Sequence, residues 1–139
     1  MQKINFTITF KDYIQLLYPY CVNGVVFSSE GDIWSSTENW VFTPENGKTI
    51  AKLMENPQEA MKSKLHLGQR DYLVVYADSH TLIARKREFG IMVKHSKMYY
   101  ILGTCDERIN PTKCLEYVTR VSEMMKIASK QGKKDVLDT

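Results

Sequence analysis

The fold is decided by residues 65–104, which read LHLGQRDYLVVYADSHTLIARKREFGIMVKHSKMYYILGT. In this stretch, short runs rich in β-branched and aromatic residues alternate with turn residues, a pattern typical of β-strands. The predicted strands are 71–76, 81–87, 90–94 and 97–103. Only a few residues connect each strand to the next, so the strands must be antiparallel neighbours, since parallel pairs need a long crossover. The stretch therefore predicts an antiparallel meander.

Two amphipathic helices flank the meander. Residues 10–18 carry apolar side chains at the spacing i, i+3, i+4 and i+7, which is one face of a helix, and Pro19 ends it. A longer helix is predicted to begin at 110–111 and to end at Gly132, with apolar residues at steps of three and four. These apolar residues are Cys114, Val118, Val121, Met125 and Ala128.

The segment between the first helix and the meander contains a predicted hairpin and two short helices. Runs at 21–28 and 32–36 are separated by a glycine-containing turn, which predicts two paired strands. The dipeptides at 43–44 and 56–57 each place a capping residue before a proline, and each predicts the beginning of a short helix. The whole order predicts one α+β domain. In this domain, both terminal helices cover one face of the sheet and the short helices cover other sheet surface.

The composition fits a globular protein with one core and argues against several other classes. The net charge of +3, from 19 basic and 16 acidic residues, is small for a nucleic-acid-binding protein. The three cysteines form no CxxC pair, which indicates reduced thiols in the cytosol rather than a disulfide framework. The sequence shows neither the apolar segment of a signal peptide nor a membrane span. We expect a cytoplasmic protein that does not bind nucleic acid.

Sequence motifs for catalysis are missing. His66, His80 and His95 have no partner at metal-ligand spacing, and neither a GxSxG nucleophile motif nor a glycine-rich phosphate loop occurs. A nucleophilic triad assembled from distant positions stays open at this stage. We expect no metal, no cofactor and no enzymatic activity.

Large rings and a group of cations point to binding instead. Phe10, Tyr13, Trp34 and Trp40 suit a proline-rich ligand, although the spacing of Phe10 and Trp34 is also typical of core residues. Five cations lie at the end of one predicted strand, at the end of the next strand and at the start of the one after it, and a hairpin would gather them at one edge. They are Arg85, Lys86, Arg87, Lys94 and Lys97. Such an edge suits an acidic protein surface or phosphoinositide headgroups, and a solvated hairpin face is the alternative.

Four strings that follow one another along the chain resemble the profilin family. They are GDIWS at 31–35, LHLG at 65–68 with Tyr72 after it, GIMVK at 90–94 and NPTKC at 110–114. The resemblance implies a profilin-like central antiparallel sheet with the N- and C-terminal helices on one face and the short helices on the other. It also implies an actin-monomer-binding, non-enzymatic protein of the cytoskeleton. We expect the profilin-like domain at 10–132, an N-terminal extension at 1–9 and a flexible tail at 133–139.

Matching positions of the family imply three binding surfaces. The actin-binding surface would contain Asp71, Leu73, Tyr76, Arg85, Arg87, Lys113 and Glu116. The poly-proline-binding surface would contain Phe10, Tyr13 and Trp34. Phosphoinositide binding would use the five cations named above. The partners implied are monomeric actin, proline-rich actin-assembly factors and anionic phosphoinositides.

The sequence also departs from the family pattern. Val121, Met124 and Met125 stand where profilins have aromatic or histidine residues that contact proline. Asp71 occupies a position that is often basic in profilins, and Gln69 replaces the second glycine of the LHLGG turn. An acidic Asp71 would meet the partner with the opposite sign and lower affinity or narrow the choice of partner.

Two other functions stay open. The order of elements also fits small-ligand sensor domains of the PAS and GAF kind, which need an internal pocket between sheet and helices. The other possibility is a profilin-like lipid-binding protein that has lost actin binding.

Overall fold

A computed structural model describes residues 10–130 of the chain, with the side chains of 10–127. The helices are α1 (Phe10–Gln15), α2 (Pro44–Glu55), α3 (Pro57–Ala60) and α4 (Pro111–Lys130). The strands are β1 (Gly24–Phe27), β2 (Ile33–Ser36), β3 (Lys64–Leu67), β4 (Arg70–Ala77), β5 (Thr81–Lys86), β6 (Phe89–Ser96) and β7 (Tyr99–Cys105). The expected extension at 1–9, the tail at 133–139 and the helix end at Gly132 lie outside the described residues.

The strands form one seven-stranded sheet in the order β2-β1-β7-β6-β5-β4-β3. Every neighbouring pair is antiparallel, which confirms the predicted hairpin and meander. The meander has one strand more than predicted, because β3 pairs with β4 over its whole length. β3 is four residues long and alternates exposed with buried side chains before the turn at Gly68.

α1 is shorter than the predicted helix over 10–18. After Gln15 the chain continues in tighter turns, in which the N–H of Leu16 donates to the carbonyl of Tyr13 at 3.0 Å. Leu17 bonds the carbonyl of Ile14 in the same three-residue pattern, at 3.1 Å. Pro19 contributes to the early end, because proline has no N–H to donate to the carbonyl of Gln15, four residues earlier.

Helices cover both faces of the sheet, as predicted. α2 and α3 pack on one face, over a core that includes Phe27, Ile50, Leu65, Leu82 and Leu102. α1 and α4 pack on the other face, over a core that includes Ile14, Val26, Met92, Ile101 and Val118. The architecture is therefore the α+β layer structure that the sequence indicated. Within residues 10–130, no helix combines the length and the apolarity needed to cross a bilayer.

Gly103 on β7 permits the close approach of α4 to the sheet. A Cβ atom at this position would lie 2.6 Å from Cγ2 of Val118 and 2.7 Å from Sγ of Cys21. α4 packs in this way against β6 and β7, and α1 packs against β1 and β2. The same face of β3, β4 and β5 carries exposed side chains instead, and this difference positions the candidate site.

Candidate functional site

The outer face of β3, β4 and β5, here called the open strand face, is the part of the sheet that the terminal helices leave accessible. Strand register places the following side chains on it: Lys64, His66, Asp71, Leu73, Tyr76, Ile83 and Arg85. Leu73 is 53% exposed and Tyr76 is 46% exposed, and both lie on β4. Large apolar side chains at this exposure, bordered by charges, are typical of a surface that binds another macromolecule.

A β-bulge in β4 brings Leu73 and Tyr76 to the same face. Leu73 pairs with Arg85, Tyr76 pairs with Ile83, and the register shifts between Val74 and Tyr76. Residues three apart in a regular strand point to opposite faces, whereas the extra residue of a bulge restores them to one face. Of the predicted actin-binding residues, Asp71, Leu73, Tyr76 and Arg85 therefore share the open strand face.

Two hydrogen-bonded pairs place ionised carboxylates at the border of this face. Nδ1 of His66 lies 2.7 Å from Oδ1 of Asp71, and this hydrogen bond is the main cause that lowers the pKa of Asp71. The hydroxyl of Tyr76 donates to Oδ2 of Asp78 at 2.6 Å. That bond raises the pKa of Tyr76 and lowers the pKa of Asp78. The apolar centre is thus flanked by carboxylates that stay ionised at neutral pH.

Arg85 connects the open strand face with the beginning of α4. Its Nη2 donates to the carbonyl of Arg87 at 2.9 Å, and its buried Nε has no hydrogen-bond partner among the described residues. Arg85 also lines a shallow cavity of about 360 Å³ together with Asn110 and Pro111. Arg87 itself lies in the β5–β6 turn, with φ of 54°, and is exposed. Of these two predicted residues, Arg85 is half-buried at the base of the surface and Arg87 is at its end.

The first turns of α4 carry the other two predicted actin-binding residues. Nζ of Lys113 lies 3.5 Å from Oε1 of Glu116, and Oε2 of Glu116 lies 2.6 Å from Nη2 of Arg120. Asn110 and Pro111, which share the cavity with Arg85, directly precede this part of α4. The structure therefore places Lys113 and Glu116 on a helix that begins beside the open strand face.

The predicted poly-proline residues differ in accessibility. Phe10 is 3% exposed and Tyr13 is 2% exposed, and burial raises the pKa of the Tyr13 hydroxyl. The half-buried ring of Trp34 packs against Phe10, with 5.0 Å between ring centroids. The structure thus brings Phe10 and Trp34 into contact, and Trp34 is the most accessible of the three predicted rings. On α4, Val121 and Met125 are buried and Met124 is exposed.

The prediction that five cations gather at one edge is wrong. Arg85 pairs with Gly90, whereas Lys94 pairs with Thr81 at the opposite end of the β5–β6 hairpin. Four register positions separate the two pairs, or roughly 13 Å at the usual rise of a strand. Nζ of Lys94 donates to Oγ1 of Thr81 at 2.7 Å, and Lys97 lies in the turn beyond it. The cations form two groups because β6 runs back along the whole of β5.

Sequence reasoning missed three side chains of the open strand face, Lys64, His66 and Ile83. The alternation of polar and apolar residues in KLHL, before Gly68, was the signal that could have found the first two. The departure at Gln69 has a simple structural outcome. Gly68 adopts a positive φ of 63° and Gln69 does not, so glutamine fits the second position of this turn.

These features define an α+β domain with helices on both faces of one antiparallel sheet and an open strand face at one side. The family model for profilin matches residues 9–129, and the chain belongs to the profilin family. The resemblance inferred from the sequence is thereby confirmed, and family membership decides against a PAS or GAF domain.

Solved structures of profilins share the fold at low sequence identity. Acanthamoeba castellanii profilin IB is 17% identical, with a TM-score of 0.78 over 84% of this chain and 96% of that chain. Schizosaccharomyces pombe profilin is 12% identical, with the same TM-score of 0.78 and the same coverage of 84% and 96%. LokiProfilin2, in a complex with rabbit actin, is 14% identical, with a TM-score of 0.62 over 80% of this chain and 90% of that chain.

Proposed function

We propose that this chain binds monomeric actin through the open strand face and the beginning of α4. The observation that carries the proposal is the exposed apolar pair Leu73 and Tyr76, which the bulge in β4 places on one face. Profilin family membership supports actin as the partner. Two structures with the same fold, LokiProfilin1 and LokiProfilin2, are complexes with rabbit actin.

The chemistry of the surface fits a protein partner. Burial of apolar area on binding contributes about 25 cal/mol per Å², and a specific interface covers roughly 800 Å² on each side. Leu73, Tyr76 and the neighbouring Val75 supply exposed apolar area for such burial. The charges of Lys64, Asp71 and Lys113 around this area would orient the partner rather than provide most of the affinity.

The proposed mechanism is sequestration and delivery of actin by adhesion, without covalent chemistry. A profilin-like domain that covers one surface of an actin monomer leaves another surface free to join a filament. A second surface centred on Trp34, with Phe10 and Tyr13 behind it, would tether proline-rich assembly factors. Two linked sites raise the effective concentration of actin near such a factor.

The finer assignments belong to the same proposal. Actin binding implies a cytoplasmic protein associated with the cytoskeleton. Contacts with phosphoinositides would rest on two separate groups, Arg85 with Lys86 and Arg87, and Lys94 with Lys97, which lie at opposite ends of the hairpin. A domain that kept only this lipid contact would be the alternative function.

Substitution Leu73→Asp tests the actin proposal. It removes the most exposed apolar side chain of the open strand face, and we expect affinity for monomeric actin to fall roughly tenfold or more. Met61→Asp is the matched control, since Met61 is 44% exposed at the end of α3 on the other side of the sheet. Pyrene-actin assembly and calorimetric titration provide the measurements. Assembly that does not respond to excess wild-type protein, together with liposome binding, would support the lipid-only alternative.

A further inference from the structure

A cavity of about 280 Å³ opens on the short-helix side of the sheet, and it contains none of the residues assigned to the surfaces above. It lies where the β3–β4 turn, the beginning of β6 and the end of β7 meet the loop before α2. Its position separates it from the open strand face, which is on the other side of the same strands. This cavity therefore represents a site that the proposed actin binding does not use.

Rings and aliphatic side chains form about half of the wall, and polar groups form the rest. Trp40, Tyr72 and Phe89 line the cavity, and Val41 stands at its edge with 68% of its surface exposed. The indole N–H of Trp40 donates to Oγ of Ser36 at 3.0 Å, which holds the ring in place. A preformed wall of this kind suits a flat apolar ligand.

Arg70 supplies a cation to the same cavity. Its Cζ atom lies 3.6 Å from the centroid of the Phe89 ring, so the guanidinium is held against the ring. Among the described residues, the guanidinium of Arg70 has this ring contact but no ion pair and no hydrogen bond. Stacking occupies the face of a guanidinium and leaves the N–H donors at its edge for a planar anion.

Asn23 adds an uncharged donor. Its Oδ1 accepts a hydrogen bond from Oγ1 of Thr37 at 3.0 Å, which orients the amide. The Nδ2 group of the same amide has no acceptor in the part of the chain that the structure describes. Asn23 and Arg70 together give the cavity donors without matching acceptors.

The one carboxylate in the lining, Asp106, is already neutralised. Its Oδ2 lies 2.7 Å from Nη2 of Arg108, and this bond is the main cause that lowers the pKa of Asp106. Arg70 is therefore the uncompensated charge among the lining residues. The cavity combines an apolar, aromatic wall with a net positive charge.

We propose that this cavity binds a small aromatic carboxylate. The ring would lie against Trp40 and Phe89, and the carboxylate would accept hydrogen bonds from Arg70. The volume is at the lower end for ligand sites, enough for one ring and one acid group and too small for a nucleotide. Such a group has two sources, a free aromatic acid or the C-terminus of a peptide that ends in an aromatic residue. The inference is independent of actin binding.

The test uses four probes and the whole chain. Phenylacetate and the peptide Gly-Gly-Phe carry the carboxylate, and phenylacetamide and Gly-Gly-Phe-amide lack it. Two-dimensional amide NMR titrations should show shifts around Arg70 and Trp40 with both acids or with one, and roughly tenfold weaker binding of the amides. Tighter binding of the peptide acid would identify a peptide terminus as the source, and tighter binding of phenylacetate would identify a free acid.

Two variants and one control distinguish binding in the cavity from nonspecific electrostatic attraction of the acid to the protein. Arg70→Gln should lower the affinity for the acid roughly tenfold. Val41→Glu should also lower this affinity, because its carboxylate repels the acid, and it does so without changing a buried residue. Arg120→Gln should bind as the wild type does, because Arg120 stacks on a ring of α4, 4.9 Å from the Tyr117 centroid, outside the cavity. The proposal is overturned if neither acid binds, if the amides bind equally well, or if both cavity variants bind like the wild type.

Discussion

Nδ1 of His66 lies 2.7 Å from Oδ1 of Asp71, and this contact joins β3 to β4 on the open strand face. The hydrogen bond favours the ionised carboxylate, so Asp71 should titrate below its usual pKa of 3.8. His66→Ala should move that midpoint up towards the usual value. Carboxyl carbon NMR measures it, with Asp106 as the control, because Asp106 is paired with Arg108 instead.

The sign of the effect on stability follows from the direction of this shift. A carboxyl whose pKa is lower in the folded than in the unfolded state stabilises the fold above its unfolded pKa. For Asp71 this contribution is lost as the pH falls from 3.8 through the folded pKa. An Asp71 midpoint that is the same in wild type and His66→Ala would show that the contact has no electrostatic consequence.

Asp71→Lys should increase affinity for monomeric actin about threefold to fivefold, the scale of one exposed charge pair. The reason is that the family resemblance implies a basic residue at this position, where the proposed partner surface would be acidic. Asp71→Asn removes the charge without inverting it, and it should give an intermediate affinity. Calorimetry at two salt concentrations provides the check, since added salt should reduce the difference. Weaker binding of actin by Asp71→Lys would contradict the proposal that residue 71 lies opposite an acidic surface of actin.

Trp34→Ala should lower affinity for a poly-proline peptide by about 1 to 3 kcal/mol, the range for an aromatic anchor. Phe10 and Tyr13 are buried, so Trp34 offers most of the accessible ring surface of the three. Trp40→Ala removes the other tryptophan, on the opposite side of the sheet, and should leave peptide binding unchanged. Equal affinities of wild type and Trp34→Ala in calorimetry would remove Trp34 from the poly-proline site.

Gly103→Ala should destabilise the fold by about 1 to 3 kcal/mol, because the added methyl group overlaps Val118 and Cys21. Urea denaturation measures the change. The double variant Gly103→Ala with Val118→Ala should be less destabilised than the sum of the single variants, since the second change makes room for the first. Gly68→Ala meets no neighbouring atom and should cost only about 1 kcal/mol for its positive φ.

The two groups of cations should act independently on liposomes that contain phosphoinositides. Replacing Lys86 and Arg87 by glutamine should weaken binding to the liposomes. Replacing Lys94 and Lys97 as well should weaken it further, and the two changes in binding free energy should add. The physical reason is their separation at opposite ends of the β5–β6 hairpin. Strong coupling in flotation assays would mean that one lipid headgroup contacts both groups.

Local patterns were enough to predict most of the framework. The alternation within 65–104 indicated the meander, and the stripes at Phe10 and Cys114 indicated the terminal helices. Positions of the bulge and of the strand ends carry no such periodic signal. For this reason Leu73 and Tyr76 were placed on one surface only through the family resemblance, and Lys94 was wrongly grouped with Arg85.

The sequence by itself determined the α+β class, the hairpin and the antiparallel meander, because these depend on hydrophobic periodicity and connection length, and the resemblance to profilins implied the face that each helix covers. Tertiary structure decided which side chains share a surface. The bulge at Val75 aligned Leu73 with Tyr76, the full length of β6 separated the cations, and packing buried Phe10 and Tyr13. It also brought Arg70 against Phe89 at the cavity. Such tertiary contacts depend on strand register and on the packing of distant segments, and no local sequence pattern predicts them.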